Sequence, residues 1–464
     1  MTRSMHRASS ALPALALAAC LALTGCAQSL RRDPTPMPDA PAAAMATQMD
    51  PQRDVLVVVD NPVAAPPARA GSNLLGYAPA RHYGLGQQAA AALQAIGREH
   101  RLREVAGWPI KSLGWYCAVL RPASGESAEQ ALARLGADAR VKLAQPLQDF
   151  SVRSARPAPS SSPPASSPSS PPSSSPPSAR PPPRKPAPRY NDPYLDLQRG
   201  FIALNAGAAH ARSRGRGVGV AIVDTGADAA HPDLHGRIRT VLDLVEADPA
   251  AFRRDAHGTE VAGIVAANSN NRLGIAGIAP LAVLDLYKAC WYPAAPGDGA
   301  RCNSFTLAKA LAAVADSRAR VVNLSLGGPA DPLLRRLLQQ LLEQGRIVVA
   351  SLPADGRMSG FPADTPGVIV VGDNARALAP GSLGAPGSDI LTTRPGGGYD
   401  FASGSSMAAA HVSGVAALLL SAAPSLDAAR VRALLFGAAG AAREVDAAAA
   451  VEAAIAGPAA PAQP

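Results

Sequence analysis

Short apolar runs alternate with segments of helical spacing along the second half of the chain. Continuous apolar runs of four to six residues are typical of strands buried on both faces of a parallel sheet. The predicted strands cover residues 218–223, 282–286, 321–326, 347–350 and 368–371. Helical patterns follow several of them, at residues 259–267, 307–315, 332–343 and from Ser406 onward. The order predicts an α/β fold with a doubly wound, mainly parallel sheet, in which sites gather at the carboxyl ends of strands.

A smaller pattern lies in the first third of the chain. Strands predicted at residues 55–59, 112–120 and from 141 alternate with helices at 87–101 and 128–135. This β-α-β-α-β order predicts a small α+β domain over residues 54–150. No group of residues in it has the types and spacing of a catalytic site, so a binding or folding module is the simplest interpretation.

The two patterns are separated by a segment of unusual composition. Residues 157–188 contain 14 prolines and 11 serines. Such a segment is stiff and extended and cannot build a core. We therefore predict a basic linker at 151–189, a large domain at 190–453 and a disordered tail at 454–464.

The formal net charge of +9 and the pI near 9.6 suggest a polyanionic partner. Residues 190–453, however, contain 23 basic and 24 acidic side chains, whereas the linker contains six basic residues and no acid. Because the large domain is close to neutral, it is not expected to form a basic groove. A nucleic-acid partner is therefore not predicted.

The N-terminus has the pattern of an export signal. A basic start precedes an apolar run at residues 11–23 that is too short to span a bilayer. The following Leu23-Thr24-Gly25-Cys26 resembles a bacterial lipobox, which implies a signal peptide at 1–25, a lipid on Cys26 and a tether at 26–53. Alanine rather than aspartate follows Cys26, and by resemblance to known sorting rules this favours the outer membrane. An ordinary signal and a secreted protein are the alternative.

Cysteine usage agrees with export to an oxidising compartment. Cys290 and Cys302 lie close together in a Gly/Pro-rich segment, where we predict a disulfide that closes a loop. Cys117 lies in an apolar-aromatic stretch and is expected to be a buried thiol. Zinc is not predicted, because there is no C-x-x-C pair and histidines do not cluster near either cysteine.

Three segments place reactive residue types where such a sheet positions a site. VAIVDTG ends a predicted strand with Asp224, HGTEVAGIVAA begins with His257, and GSSMAAAHVSGVAALL opens a helix near Ser406. These segments resemble the Asp, His and Ser motifs of the subtilases, the subtilisin-like serine peptidases, in that family's chain order. HPDL at His231 and VVNLSLGG at Val321 add to the resemblance, which covers nearly all of residues 190–420.

The resemblance implies a serine endopeptidase that acts on polypeptides. A serine hydroxyl needs a base within hydrogen-bond reach, and the base needs a partner that orients it. In this interpretation Ser406 is the nucleophile, His257 the base and Asp224 the orienting carboxylate. The resemblance also implies a backbone segment that binds an extended substrate as an added strand, formed by Ser325, Leu326 and Gly327.

The chain departs from the family at the oxyanion hole. Family members usually carry an asparagine whose side chain is the second oxyanion donor. A gap-free alignment of IVVASLPADG puts Ala354 at that position, and a shift of one residue puts Asp355 there. Losing such a donor costs roughly 10²–10³-fold in turnover, a magnitude established on a subtilisin. The sequence thus leaves two interpretations, a slow endopeptidase and a weakened or inactive subtilase that binds polypeptide.

Two further expectations follow from the resemblance. Subtilases often carry an N-terminal propeptide of the size and position of residues 54–150, so this domain is expected to inhibit the large one. The asparagine-rich run at 268–271 lies where some relatives hold calcium. Because no carboxylate accompanies it in the sequence, no metal and no cofactor are predicted.

Overall fold

The computed structural model describes residues 48–62, 83–123, 125–152, 190–245, 249–293, 299–440 and 443–457. The predicted signal peptide, Cys26 and the Pro/Ser-rich segment at 157–188 lie outside these residues. The described parts of the small and the large domain belong to one compact unit.

The small domain is an antiparallel sheet with two helices. Its elements are β1 (Val55–Asp60), α1 (Gln87–Glu99), β2 (Leu102–Ile110), β3 (Trp115–Pro122), α2 (Ala128–Leu135), β4 (Val141–Pro146) and β5 (Asp149–Val152). The first four strands form one sheet in the order β2-β3-β1-β4. The predicted β-α-β-α-β order is wrong, because β2 is missing from it. Most side chains of β2 are half-buried or exposed at the sheet edge, so it shows no compact apolar run.

Both faces of this sheet are covered. Val55 and Val57 pack with residues of α1 and α2 in one core, whereas Leu56 and Val58 belong to the core shared with the large domain. This is why residues 55–59 are apolar at every position rather than alternating. Cys117 lies on the shared face, and burial raises the pKa of its thiol, as expected for a structural cysteine.

The large domain is built on seven parallel strands. They are β6 (Gly219–Asp224), β7 (Ile238–Asp243), β8 (Val283–Lys288), β11 (Val321–Leu324), β12 (Ile347–Ser351), β13 (Ile369–Asp373) and β14 (Leu383–Ala385), in the order β14-β13-β12-β11-β6-β8-β7. Every neighbouring pair is parallel. The doubly wound α/β fold is therefore confirmed.

Helices cover both faces of the sheet. They are α3 (Arg199–Ala203), α4 (Ala206–Ala209), α5 (Pro249–Arg254), α6 (Ala256–Ala266), α7 (Ser304–Ala315), α8 (Pro332–Glu343), α9 (Ser405–Ala422), α10 (Ala428–Ala438) and α11 (Ala447–Ala456). Val220 and Ile222 of β6 lie in the core with α6 and α9, whereas Ala221 and Val223 lie in the core with α7 and α8. The continuous apolar runs of the sequence follow from this double coverage.

Two small sheets lie beside the main one. One contains β5, β10 (Ala300–Asn303) and β9 (Cys290–Trp291), and the other pairs β15 (Ile390–Arg394) with β16 (Gly398–Ala402). Among the described residues, only α9 is long and apolar enough to cross a membrane. Most of α9 is buried inside the fold, as in the core helix of a globular domain.

Three predicted domain boundaries need correction. Met49 is buried in the shared core, so the small domain begins before residue 54. Ser151 and Val152 belong to β5 and not to the linker. Helix α11 continues to Ala456, past the predicted end at residue 453. Sequence composition misses these boundaries because burial against a distant element leaves no local signal.

Candidate active site

The site lies where the winding of the sheet reverses. Asp224 ends β6, and Ser325 directly follows β11, the neighbouring strand. The chain goes from β6 to β7 and β8 on one side and to β11 and β12 on the other. Crevices at the carboxyl ends of strands form at such a switch point, which is why residues far apart in the sequence meet here.

Asp224 and His257 form a buried pair. The Nδ1 atom of His257 lies 2.8 and 2.9 Å from the two carboxylate oxygens of Asp224. Only 1% of Asp224 and 3% of His257 is exposed. Because a carboxylate accepts hydrogen bonds, this pairing assigns the proton to Nδ1 and leaves a lone pair on Nε2. Within the described part of the chain, buried Nε2 has no hydrogen-bond partner.

The glycines of two motifs allow this pair to form. A Cβ atom added to Gly258 would lie 2.0 Å from the carbonyl oxygen of Gly226. Gly226 itself has φ = 110°, a backbone conformation that residues with a side chain rarely adopt. The D-T-G and H-G motifs are thus in direct backbone contact, and this contact brings His257 to Asp224.

The charge around His257 favours its protonated form. Burial lowers the pKa of His257, but the charge and the hydrogen bond of Asp224 more than offset this, so the pKa is raised. Glu260, one turn along α6, adds to the rise and is 3% exposed. Its Oε1 pairs with Arg394, and its Oε2 has no partner among the described groups. Glu260 therefore faces the site and not solvent.

Ser406 is the second residue of α9, which packs along α6. Its hydroxyl donates to the carbonyl oxygen of Ser325 at 3.4 Å. Gly404, just before the helix, has φ = 149°. The first turn of a helix has free N–H groups and the positive end of the helix dipole, so Ser406 lies where negative charge is stabilised.

The chain's own β5 lies in the cleft as an added strand. The N–H of Ser151 donates to the carbonyl of Gly327 at 3.0 Å, and the N–H of Gly327 donates back at 3.1 Å. On its other side β5 pairs with β10. Phe150 packs edge-on against Phe361, with ring centroids 5.7 Å apart. Of the predicted substrate segment, residues 325–327, Gly327 thus pairs with a strand of the chain itself.

Comparison with known proteins agrees with this geometry. The model of the family described as "Subtilase family" matches residues 215–454. Thermitase of Thermoactinomyces vulgaris is 36% identical over 244 residues, which are 50% of this chain and 85% of thermitase. The chain belongs to the subtilase family.

Other relatives support the same assignment over shorter shares of their length. This subtilase is 40% identical to a thermophilic serine proteinase of Bacillus sp. (strain AK1), over 43% of the chain and 51% of that protein. It is 35% identical to subtilisin E of Bacillus subtilis (strain 168), over 46% of the chain and 58% of that protein. The chain therefore spans little more than half the length of these two relatives.

A solved structure extends the likeness in fold to most of the chain. Fervidolysin from Fervidobacterium pennivorans, described as a keratinolytic enzyme related to subtilisin, superposes with a TM-score of 0.64 at 23% identity. The match covers 87% of this chain and 61% of fervidolysin. It therefore includes more of the chain than the large domain alone.

This subtilase lacks an amide side chain at the expected oxyanion position. Ala354 and Asp355 both line the cavity that contains Ser406. Asp355 accepts a hydrogen bond from the N–H of Arg357. The hydroxyl of Ser405 donates to the carbonyl of Leu352 at 2.7 Å. Neither Ala354 nor Asp355 offers the N–H donor that the family's asparagine supplies.

The predicted disulfide is present and supports the cleft. Cys290 and Cys302 are bonded and join β9 to β10. Cys302 is also paired in register with Phe150 of β5. The disulfide therefore holds the strand on which β5 docks.

A buried polar pair that the sequence does not reveal lies next to the Asp224 and His257 motifs. The ammonium of Lys288 donates to Asp255 Oδ2 at 2.6 Å and to the carbonyl of Thr225 at 2.7 Å. Lys288 of β8 is paired in register with Asp224 of β6, and Asp255 directly precedes α6. Lys288 thus connects the segment after Asp224 to the helix of His257. The sequence signal is a single lysine at the end of an apolar run, which has no specificity by itself.

The asparagine-rich run does have carboxylate neighbours in space. Asp192 accepts the backbone N–H groups of Asn270 and Asn271, and Asp233 accepts the side-chain amide of Asn271 at 2.6 Å. The sequence around the run does not show these carboxylates, because both come from distant segments. Both accept hydrogen bonds from the protein itself, and the absence of a metal remains a prediction.

One other group of described residues has the donor types of a metal site. Glu99, His100 and Asp138 lie close together at the surface of the small domain. Arg140 pairs with both carboxylates, so these acids serve as partners of an arginine.

Proposed function

We propose that this subtilase is a serine endopeptidase that hydrolyses polypeptides through Asp224, His257 and Ser406. The observation that carries the proposal is the buried Asp224–His257 pair, whose Nε2 is available to accept a proton. Two consecutive residues of β5 support it. Ser151 lines the cavity of Ser406, and Val152 lines the cavity of His257. One bound strand therefore reaches both groups.

In the proposed acylation step, Ser406 Oγ attacks the carbonyl carbon of the scissile bond and its proton passes to His257 Nε2. The Ser406 hydroxyl can rotate about one side-chain torsion. When substrate binds, it turns away from the carbonyl of Ser325 and donates its hydrogen bond to Nε2 of His257 instead. Asp224 stays ionised and stabilises the imidazolium. The C–N bond then breaks, the amine leaves with the proton from Nε2, and the acyl group remains on Ser406 as an ester.

In the proposed deacylation step, a water molecule takes the place of the amine. The oxygen of the water attacks the ester carbon while His257 accepts one of the water protons. The ester C–O bond breaks, Ser406 recovers the proton from His257, and the product leaves as a carboxylic acid. The N–H of Ser406 in the first turn of α9 is the donor that this chain retains for the developing oxyanion.

A fluorophosphonate probe, which reacts with activated serines, tests this function. We expect labelling at Ser406 in the folded protein and none in the Ser406→Ala variant. An unlabelled Ser406 together with no hydrolysis of unfolded casein would support the other interpretation, a subtilase that binds polypeptide without cutting it.

We also propose that the small domain inhibits the large one by leaving β5 in the cleft. The reciprocal hydrogen bonds between Ser151 and Gly327 occupy the backbone groups that would bind substrate. A Ser151→Pro variant removes the N–H donor, and we expect faster hydrolysis of a short peptide by the unprocessed chain. The matched control is Ser160→Pro, in the linker. Equal rates for the two variants would exclude inhibition by β5.

For the N-terminus we propose a lipoprotein of the outer membrane that is anchored through Cys26. The support is the lipobox-like segment ending at Cys26 and the alanine after it. Metabolic labelling with palmitate, compared between the natural chain and a Cys26→Ala variant, tests the anchor. Label that persists in the variant, or a natural chain that is found only in the medium, would contradict it.

A further inference from the structure

The start of α6 carries His257 but is not capped by the residue that precedes it. Asp255 directly precedes α6, and its side chain makes no capping hydrogen bond. Its carboxylate accepts the ammonium of Lys288 instead. His257 is the second residue of the helix, so its N–H has no acceptor within α6. The first N–H groups of α6 therefore depend on acceptors from other segments.

Two hydroxyl groups from outside α6 accept these N–H groups. The N–H of His257 donates to the hydroxyl of Tyr292 at 3.2 Å, and the N–H of Gly258 donates to Oγ1 of Thr225 at 3.3 Å. Thr225 belongs to the motif of Asp224, whereas Tyr292 belongs to the segment after β9. The Tyr292 hydroxyl thus connects the backbone of His257 to that segment.

The position of Tyr292 is set by the ribbon that β9 and β10 form. Tyr292 directly follows Trp291, the last residue of β9, and Trp291 is paired with Arg301 of β10. The disulfide between Cys290 and Cys302 joins the same two strands. The backbone of Tyr292 is therefore anchored to this ribbon, although 45% of the residue is exposed.

The same ribbon carries the strand that lies in the cleft. Ala300 of β10 is paired with Val152 of β5. Val152, Tyr292 and His257 line one cavity of about 200 Å³. A polypeptide that pairs with β10 as an added strand therefore lies beside Tyr292 and orders the ribbon to which this residue is anchored.

We propose that Tyr292 is a positioning residue that couples the strand bound on β10 to His257. This inference rests on the serine endopeptidase function proposed above. When an extended polypeptide pairs with β10, the ribbon holds the Tyr292 hydroxyl against the N–H of His257. The imidazole then stays aligned between Asp224 and Ser406, as proton transfer requires. A substrate too short to pair with β10 leaves the ribbon less ordered, so fewer encounters begin from the aligned imidazole.

The test compares the full-length natural chain with Tyr292→Phe, which keeps the ring and removes the hydroxyl. One substrate is an extended peptide amide that can pair with β10. The other is a single blocked amino-acid amide that cannot, with the same residue before the scissile bond. A β5 strand that competes with substrate for the cleft raises KM and leaves kcat at saturation the same, so kcat is the readout.

We expect the ratio of the two kcat values, extended over short, to fall about fivefold in Tyr292→Phe, the effect of one hydrogen bond. A purely structural role of the hydroxyl would lower both values equally and leave this ratio in place. The matched control is Tyr194→Phe, an exposed tyrosine that packs against Tyr399 outside this cavity.

Hydrogen exchange of the His257 amide provides a readout that does not need hydrolysis. In the full-length chain, where β5 is paired with β10, we expect this amide to exchange about fivefold faster in Tyr292→Phe than in Tyr194→Phe or the natural chain. Equal exchange rates, or a ratio of kcat values that stays the same in Tyr292→Phe, would overturn the inference and leave the endopeptidase function intact. Equal kcat values for both substrates in the natural chain would do the same. Absence of hydrolysis of either substrate by the natural chain would instead overturn the proposed function.

Discussion

Gln145 of the small domain donates a hydrogen bond from Nε2 to Oδ2 of Asp331, at the start of α8, over 2.7 Å. Its Oε1 accepts the N–H of Leu333 at 3.0 Å. Asp331 caps α8 and also accepts the hydroxyl of Ser304. Both partners are almost fully buried, at 4% and 1% exposure. One side chain of the small domain therefore completes the polar contacts at the start of a helix in the large one.

This relationship predicts that Gln145→Leu weakens the docking of the small domain. The variant removes one of the two hydrogen bonds that Asp331 Oδ2 accepts and takes away the side-chain acceptor of the Leu333 N–H, at a cost of roughly 1–3 kcal/mol. We expect hydrolysis of a short peptide by the unprocessed chain to rise about tenfold or more. The matched control is Gln148→Ala, whose bond to the carbonyl of Ala330 lies at the exposed edge of the interface. Equal rates in the two variants would mean that buried polar contacts do not hold the domain in place.

The charge of Glu260 predicts how kcat/KM depends on pH. His257 acts as a base only when neutral, so its raised pKa moves the acid limb of kcat/KM to higher pH. Glu260→Gln removes a negative charge that raises the pKa of His257, while the Arg394 guanidinium remains. The pKa of His257 therefore falls, and the acid limb of kcat/KM moves to lower pH. The other titratable groups in contact, Asp224 and Tyr292, are unchanged. A pH–rate profile in which the limb stays in place would show that Glu260 does not act on His257.

The missing oxyanion amide predicts a gain of function. Ala354→Asn places a side-chain donor in the cavity of Ser406, and we expect kcat to rise by roughly tenfold, a part of what such a donor contributes. Ala354→Leu is the control for side-chain size without a donor. A kcat that does not change in Ala354→Asn while the protein remains folded would show that another group already stabilises the oxyanion.

The buried pair Lys288–Asp255 predicts a loss of stability. Burial raises the pKa of Asp255 to about 7, although the Lys288 ammonium acts in the opposite direction. Lys288→Met leaves this carboxyl without its cation and should lower the free energy of unfolding by about 3–5 kcal/mol.

The sign of the pH effect follows from the direction of this shift. A carboxyl with a raised pKa in the folded state destabilises the fold increasingly as the pH rises through that pKa. The loss in Lys288→Met, measured by urea unfolding, should therefore be larger above pH 7 than below it. Arg336→Met removes an exposed pair with Glu343 and should cost about 0–1 kcal/mol. Equal losses in both variants would contradict the structural role of Lys288.

Much of the large domain could be predicted from the sequence. The predicted helix at residues 332–343 matches α8, and the five predicted strands match strands of the main sheet within a few residues. The reason is that double burial makes each strand apolar throughout and each helix amphipathic or apolar, and both signals are local. The family also followed from the sequence, since short motifs around Asp224, His257 and Ser406 fix residue types in order along the chain.

The strands that the sequence did not reveal have weak local patterns. Strands β7, β14, β15 and β16 were not predicted, and neither was β2. These strands are short, lie at an edge or pair in exposed hairpins, so their apolar patterns are weak. Their pairing depends on which neighbour tertiary packing supplies, and local composition does not carry that information.

The sequence by itself determined the family, the order of the Asp224, His257 and Ser406 motifs, the disulfide between Cys290 and Cys302 and the lack of the family's usual asparagine in residues 347–356. Only the tertiary structure decided that β5 lies on Gly327 and that Asp355 opens into the cavity beside Ser406. The physical reason is that residue types and local spacing are properties of the chain. Contacts between residues that are far apart in the chain arise only when the sheet and its two cores bring them together.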